Sequence, residues 1–300
     1  MNRFTAMETF VKVYESGSFS SAARLLHVGQ PAVSKAVAQL ETRLGVRLLL
    51  RSTQGLTPTQ AGHDFYEHAR LALEQADEAE RVAQGDKAAI SGRVRVCMAV
   101  TFARLHVIPR LPLFFARHPD IEVDIVLNDG NIDLIENGID LALRMGELVD
   151  SSLTVRKISQ CPRWAVGTPG YFERAGTPEH PSALTEHDVV IHDLSGRDHQ
   201  WTFERDGQRV NVSVSGRLRT NAAEGVRESV LAGMGMAIAS EWMFAPELAA
   251  GTVIPVLTDW HLPSIDLWAV FPSGRQSNAR TRAFVDFIET EFAGARSEPR

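Results

Sequence analysis

Ser18-Phe19-Ser20-Ser21-Ala22-Ala23-Arg24-Leu25-Leu26-His27-Val28-Gly29-Gln30-Pro31-Ala32-Val33-Ser34-Lys35-Ala36-Val37-Ala38-Gln39-Leu40-Glu41 reads as two short helices joined by a tight turn. Ala22, Ala23 and Leu26 give the first helix an apolar face of small residues. Gly29 suits the start of the second helix, where a missing Cβ is tolerated. Pro31 falls in the first turn of that helix, where its absent N–H costs nothing. Val33, Val37 and Leu40 recur at helical spacing and are expected to face inward. Gln30, Ser34 and Lys35 are left on the outer surface near the helix start, the part of a helix-turn-helix that enters the DNA major groove. Gln can bond adenine bidentately, Ser is a permissive donor and acceptor, and Lys can reach guanine or phosphate. An ordinary helical hairpin with polar outer residues would carry the same short pattern, so the flanking sequence has to decide.

Upstream, residues 4–15 are expected as a helix with Phe4, Met7, Phe10, Val11 and Tyr14 as its buried stripe. Downstream, residues 45–57 alternate and turn like a small β-ribbon, or wing. From it Arg47 and Arg51 would reach the DNA backbone or minor groove; solvated surface charge is the competing reading, stronger for Arg47 than for Arg51. Residues 58–86 then read as one long helix, opened by Thr57 or Thr59 with Pro58 near its first turn. Phe65, Ala69, Ala72, Ala76, Ala79 and Ala83 recur at spacings of 4, 3, 4, 3 and 4, a heptad seam. Such a rod would be about 43 Å long, and its alanine seam would let a partner backbone pack close. Beside a helix-turn-helix this argues dimerisation; a helix lying against its own domain is the alternative, since alanine is also a good helix former. The rod is expected to stop at Gly85, with a hinge before residue 93.

The net charge of −6 looks wrong for a DNA binder until it is divided along the chain. Residues 1–60 hold seven Lys and Arg against three Glu, a net of +4, whereas residues 61–86 carry −5 and the remainder −5. A basic head on an acidic body is the asymmetry expected when one end touches phosphate. Three hundred residues suggest two or three domains. No run of 18 apolar residues exists and the start lacks a signal-peptide core, so neither a membrane span nor export is expected. Two cysteines, Cys97 and Cys161, make no disulfide framework, and a reducing cytoplasm is the default.

From Arg93 onward strands and helices alternate. Candidate strands are 93–100, 121–127, 139–144, 188–192, 210–215, 236–240 and 265–271; candidate helices lie near 102–117, 131–137, 222–233 and 278–293. Loops 161–167 and 263–267 sit where the chain could cross between two lobes, which gives a two-lobed α/β unit. Ligands in such sheets bind beyond the carboxyl ends of strands, at helix N-termini. Thr101 follows the first strand and would offer its hydroxyl and nearby N–H groups to a carboxylate or phenol oxygen; Phe102 would wall the cleft. Asn128 and Asp129 end the second strand and Arg144 the third, while Trp201 and Asn221 are the candidates from lobe two. Few polar groups and two aromatics suit a small aromatic or carboxylated metabolite. Against these stand plainer roles: Thr101 as a helix cap, Phe102 and Trp201 as core, Arg144 as half of an ion pair.

No catalytic or metal site emerges. Gly233-Met234-Gly235-Met236-Ala237 follows a helix and enters a strand, the reverse of what a dinucleotide fingerprint needs, and reads as a helix stop. His63/His68 and His187/His192 lie five apart, off the spacing of helical ligand pairs. No nucleophile elbow appears. A peroxide switch at Cys97 or Cys161 is disfavoured because a strand thiol is buried and inert. Two other functional classes remain in play: a thiol-based redox sensor, and an enzyme or solute-binding module with a helical dimeriser.

The chain resembles the LysR-type transcriptional regulators over nearly all its length. Phe10-Val11-Lys12-Val13-Tyr14-Glu15-Ser16-Gly17-Ser18-Phe19-Ser20 with Ala22-Ala23, then Gln30-Pro31-Ala32-Val33-Ser34, Leu40-Glu41, Leu44-Gly45 and Leu56-Thr57-Pro58-Thr59-Gln60-Ala61-Gly62, is similar to that family's N-terminal signature. Gly138-Ile139-Asp140-Leu141-Ala142-Leu143-Arg144-Met145-Gly146 resembles the strand leading into its effector cleft; Pro169-Gly170-Tyr171-Phe172 and Leu231-Ala232-Gly233-Met234-Gly235-Met236-Ala237 resemble its second lobe. Trp201-Thr202-Phe203 is similar to the branch with a Trp-x-Phe segment. Gly29, where the family often has Ser, costs only a few tenths of a kcal/mol of capping. Gln54, where it often has Arg, removes up to about one phosphate contact from the wing.

The resemblance implies an α plus α/β protein: a winged helix-turn-helix over 1–58, a linker and dimerisation helix over 59–86, a hinge over 87–92 and a periplasmic-binding-protein-like effector domain over 93–300. Lobe one is expected from 93–161 and 268–300, lobe two from 162–267. It implies DNA contacts at Ser20, Gln30, Pro31, Ser34, Lys35 and Arg51, and effector contacts at Thr101, Phe102, Asn128, Arg144, Gly146, Trp201 and Asn221. Dimerisation falls on Phe65, Ala69, Ala72, Ala76 and Ala79. The partners implied are double-stranded promoter DNA, a second copy through the linker helix, a homotetramer, and RNA polymerase. No cofactor beyond a small-molecule effector is expected, and the setting is the cytoplasm, at the nucleoid.

Overall fold

Asn2 accepts the Phe4 N–H through its side chain and opens α1 (Arg3–Ser16), which Gly17 closes in a left-handed conformation at φ 61°. The computed structural model describes residues 2–52, 55–83, 90–146, 148, 153–192, 200–272 and 278–292. Two compact units are present, residues 1–88 with 135–138, and residues 89–134 with 139–300.

In the first unit, α2 (Phe19–Leu25) is capped by Ser18, whose hydroxyl accepts from the Ser21 N–H. The turn that follows is made by His27 at φ 54°, with His27 N–H donating to the Arg24 carbonyl and Val28 N–H to that of Ala23. This paired pattern ends a helix on a left-handed residue, and histidine is one of the few side chains that enter that region readily. Then α3 (Gln30–Leu44) begins at Gly29 without a side-chain cap, carries Pro31 at its second position and ends at Gly45. Val33, Val37 and Leu40 are buried as the spacing predicts, together with Phe10, Val13 and Leu48. The stripe of α1 is corrected in one place: Phe4 is exposed, and Ala6 and Val13 take the inward positions. Strands β1 (Leu49–Ser52) and β2 (Gly55–Pro58) pair antiparallel from Leu49↔Pro58 to Ser52↔Gly55. Gln54 at the wing tip and the Arg51 side chain lie outside the described residues.

Thr59, rather than Thr57, caps α4 (Gln60–Ala83): its hydroxyl accepts from the Gly62 N–H. The 24 residues of α4 span about 36 Å. The expected stop at Gly85 and residues 87–89 of the hinge fall outside the described residues, and Gly92, expected in the hinge, already belongs to the first strand of the second unit. The seam does not serve one purpose along its length. Phe65 meets Phe10 edge-on with centroids 5.2 Å apart, and Ala69 is buried in the same core. These two positions are filled by the helix's own unit, because α4 lies along α1. Ala72 and Ala76 are half-buried and Ala79 is exposed.

The second unit begins with β3 (Gly92–Met98), α5 (Val100–Phe102), a π-turn over Ala103–Val107, a 3₁₀ turn over Ile108–Arg110 and α6 (Leu111–Arg117). The single helix expected over 102–117 is thus broken. Pro109 and Pro112 lack the N–H that a regular helix requires there. Next come β4 (Ile121–Leu127), β5 (Leu141–Met145) and β6 (Thr154–Cys161). The helix expected near 131–137 is absent; residues 134–138 form turns, one of them closed by the Gly138 N–H on the Ile135 carbonyl.

The chain crosses at Pro162 into lobe two. There it forms β7 (Arg163–Gly167), α7 (Pro169–Ala175), β8 (Val190–His192), β9 (Gln200–Arg205), β10 (Gln208–Ser213), β11 (Leu218–Thr220), α8 (Ala223–Leu231), β12 (Ala237–Ser240), α9 (Glu241–Ala250) and β13 (Ile254–Val256). It returns in β14 (Ile265–Phe271) and ends in α10 (Ala279–Phe292). Because β14 joins the first sheet from Ile265, the return to lobe one falls at 265 rather than 268. Arg163 Nε donates to the Pro263 carbonyl at 2.5 Å, tying the two crossings together. Gly233, at φ 71°, closes α8 as a helix stop.

Lobe one is a five-stranded sheet in the order β4-β3-β5-β14-β6, parallel at β4, β3 and β5 and antiparallel beyond. Strand alternation puts Val94, Val96 and Met98 on one face against Phe114, Phe284 and Ile288. Cys97 faces the other side with Leu134, Ala142 and Val270. Lobe two holds β12-β7-β13, the parallel pair β11-β8, a bridge from Val189 to Met236 and the β9–β10 hairpin. No helix among the described residues is long and apolar enough to cross a membrane.

Candidate DNA-binding face and effector cleft

The recognition face is built from the inside out. Val33, Ala36, Val37 and Leu40 hold α3 down, and this leaves Gln30, Pro31 and Lys35 exposed and Ser34 half-buried along its first turns. Ser20 is exposed on α2, the helix that crosses before the turn. The wing is fixed to α3 by a residue that periodicity does not flag. Glu41, only 8% exposed, accepts the backbone N–H groups of Leu48 and Leu49 through Oε1 at 2.8 and 3.0 Å. Its Oε2 receives Arg47 at 3.2 Å, but the Arg47 side chain is 78% exposed, so that ion pair adds little. One buried carboxylate therefore sets where the ribbon stands relative to the recognition helix.

In the second unit, the carboxyl ends of β3, β4 and β5 gather three of the expected cleft residues. Thr101 stands on the first helical turn after β3, and Asn128 N–H donates to the Met98 carbonyl at 3.0 Å. The Asn128 side chain is occupied in its own turn, accepting from the Gly130 N–H at 2.7 Å. Arg144 donates from Nη2 to the Ile132 carbonyl at 3.1 Å. Gly146, at φ 92°, receives the Trp268 indole N–H on its carbonyl at 2.9 Å. Asn221 is exposed just ahead of α8, on the lobe-two side of the mouth.

Two expected residues lie elsewhere. Phe102 is 3% exposed and packs in the lobe-one core among His106, Trp242 and Phe292, so it does not wall the cleft; the residue after Thr101 on a helix points away from the Thr101 face. Trp201 is half-buried on β9 against the lobe-two core, beside Val212. His106, in the π-turn, meets the Trp242 carbonyl at 2.6 Å, and burial lowers its pKa.

Arg104 and Glu224, unmarked by sequence pattern, complete the mouth together with Asp129, to which the end of the second strand points. Asp129 accepts from Val100 N–H in lobe one through Oδ1 and from Ala223 N–H in lobe two through Oδ2, each at 2.8 Å. Thr101, 3% exposed, is not a helix cap; its hydroxyl donates to Glu224 Oε2 at 2.7 Å. Arg104 donates to Glu224 Oε1 at 2.6 Å. Arg104 is three residues beyond Thr101 and so shares its helix face, the one sequence cue available. Glu224 in the first turn of α8 looks like an ordinary dipole-complementing acid.

The thiols do not form a switch pair. Cys97 on β3 and Cys161 on β6 face opposite sides of the sheet with two strands between them, a separation of at least about 14 Å across the sheet alone, against the ~7 Å limit between Cα atoms for a disulfide. Burial pushes the Cys161 thiol up to about 12 and raises Cys97, with Arg144 opposing in part. Thiolate, the reactive form, is thus suppressed at both.

These features coincide with two known domain families. The "Bacterial regulatory helix-turn-helix protein, lysR family" matches residues 4–63, and the "LysR substrate binding domain" matches residues 87–293. The chain belongs to the LysR family of transcriptional regulators, with a DNA-binding helix-turn-helix followed by an effector-binding domain. An HTH-type transcriptional repressor of Pseudomonas aeruginosa is 33% identical over 296 residues, covering 98% of this chain and 93% of that one. PtxR of the same species, an HTH-type transcriptional regulator, is 33% identical over 93% of this chain and 89% of its own. The solved structure of CrgA, a LysR-type transcriptional regulator from Neisseria meningitidis, is 31% identical, covers 97% of this chain and 99% of that chain, and superposes with a TM-score of 0.62.

Proposed function

We propose that this regulator reads double-stranded promoter DNA through Gln30, Pro31, Ser34 and Lys35, with Ser20 and Arg51 against the backbone, and that a small molecule received between its two lobes alters that binding. The observation that carries the DNA reading is the first half of α3: Val33, Ala36 and Val37 are buried while Gln30, Pro31 and Lys35 face solvent. Purified protein incubated with genomic fragments in excess competitor DNA, followed by sequencing of bound fragments, should give sharp peaks with a dyad. Sequence-blind, salt-sensitive binding alone would refute it. Gln30→Ala or Ser34→Ala should cost about 1–3 kcal/mol of discrimination at one base position. Equal weakening on every sequence would instead make these residues phosphate contacts.

The effector is assigned as a small aromatic or carboxylated metabolite. Support comes from Thr101 and Arg104, which together already hold a carboxylate, that of Glu224. No cofactor and no catalytic chemistry belong to this reading, and its setting is the cytoplasm, at the nucleoid, with RNA polymerase as a further partner. Dimerisation is assigned to the outer part of α4, at Ala72, Ala76 and Ala79, and a tetramer follows when two dimers occupy neighbouring half-sites. Ala72→Glu with Ala76→Glu should give monomers by sedimentation that bind paired half-sites poorly. A double variant that stays dimeric with wild-type affinity would move the interface off this helix.

A further inference from the structure

Two carboxylates cross the mouth of the effector domain in opposite directions. Asp129 reaches from lobe one to the start of α8, and Glu224 reaches back from α8 to Thr101 and Arg104. Both Glu224 oxygens are engaged, each by a different lobe-one donor, and the charge on the carboxylate strengthens both bonds. The Glu224 side chain is 31% exposed, and the Thr101 that holds it is buried. This is the geometry in which a bound acid would sit, except that the acid belongs to the protein.

We infer that Glu224 is the chain's own occupant of the carboxylate position between the lobes: it latches lobe two to lobe one when no effector is present, and an acidic effector binds by displacing it. The inference rests on the reading of this cleft as the effector site. Glu224 becomes a specificity residue in consequence. A ligand has to recover the two hydrogen bonds that Glu224 gives up. A ligand without an acceptor for the Thr101 hydroxyl leaves that buried group unpaired, so neutral apolar molecules of the same size are rejected. Release of Glu224 removes two of the bonds between α8 and lobe one and leaves that of Asp129 to the Ala223 N–H, which loosens α8 and couples occupancy to the angle between the lobes. A ligand shifts that equilibrium only by its differential affinity for the two states.

The test uses the full chain, its Glu224→Ala and Glu224→Gln variants, and benzoate as the probe acid. Hydrogen exchange, read without ligand, should be about tenfold faster or more in Glu224→Ala at residues 99–104 and 222–226, with the β3–β5 core unchanged. Glu224→Gln, which keeps an acceptor for Thr101 but loses the charge, should fall between. In calorimetric titration, benzoate should bind Glu224→Ala about tenfold more tightly than wild type, and adding Thr101→Val should erase the gain. Wild-type exchange rates in Glu224→Ala would overturn the latch. Faster exchange with equal benzoate affinity in wild type and variant would overturn the displacement. Faster exchange with no benzoate bound by any of the proteins would support the latch and overturn the carboxylated-effector reading beneath it.

Discussion

Glu41→Ala is expected to remove about 2–5 kcal/mol from the DNA-binding unit and to abolish specific operator binding. The cost comes from the two N–H groups left behind. Leu48 and Leu49 are 1% and 5% exposed, and both donate to one Glu41 oxygen. Each buried donor stranded without a partner costs about 1–3 kcal/mol, and a net stability of about 5–15 kcal/mol leaves little reserve against two. The functional loss has a separate cause. Without Glu41 the end of α3 loses its hydrogen bonds to the start of β1 and keeps only apolar packing there, so the wing stands less firmly at a set distance from Gln30 and Lys35. Glu41→Gln separates the contributions. Its amide oxygen can still accept both N–H groups, while the exposed Arg47 pair it loses is worth about 1 kcal/mol or less. Thermal unfolding of the two variants, with effector-domain exchange as the internal standard, gives the comparison. Equal destabilisation by Ala and Gln would mean that the charge, not the acceptor, holds the wing.

The parts of this molecule legible from sequence are those whose partners lie within a few residues. Gly29, Pro31 and the Val33–Val37–Leu40 spacing mark α3 because capping and periodicity are local. Beyond that reach the signal fades for identifiable reasons. Strand β6 alternates poorly, with 154–157 all exposed, so no period of two announces it. Helix α9 carries Pro246 in its interior and a kink at Phe244, which argues against a helix before the fold is known. The heptad seam of α4 is real, but spacing cannot say whose surface covers it, and Phe65 and Ala69 are covered by α1 of the same chain. In the cleft, Thr101 and Arg144 were legible as residues ending strands. Glu224 was not, because its bond to Thr101 joins positions 123 residues apart.

Gly62→Ala tests the same joint from the other side, and its sign is the informative part. In an exposed helix this change gains about 1 kcal/mol, since alanine is the better helix former. Gly62 is buried in the first turn of α4, and a Cβ there would press into the Leu48 carbonyl, standing 2.9 Å from its carbon and closer still to its oxygen. The obstacle is backbone, and it has no freedom to retreat. The Leu48 oxygen accepts from the Thr59 N–H at 3.0 Å and is the second acceptor, at 3.2 Å, of the Thr59 hydroxyl, which donates mainly to the Arg47 carbonyl at 2.8 Å, while the Leu48 N–H is held by Glu41. Thr59 in turn caps the Gly62 N–H at 2.9 Å, so relieving the clash breaks the cap of α4 or the anchor of the wing. The expected result is a loss of about 3 kcal/mol or more, with DNA binding gone and the effector domain still folded by hydrogen exchange. Glu41→Ala should blunt that loss, because freeing the Leu48 N–H lets the carbonyl move. The double variant is therefore expected to be more stable than the two separate losses added together, by about 1 kcal/mol or more. Strict additivity would mean that the Leu48 carbonyl is held by Thr59 alone, and that the two ends of the wing are fixed independently.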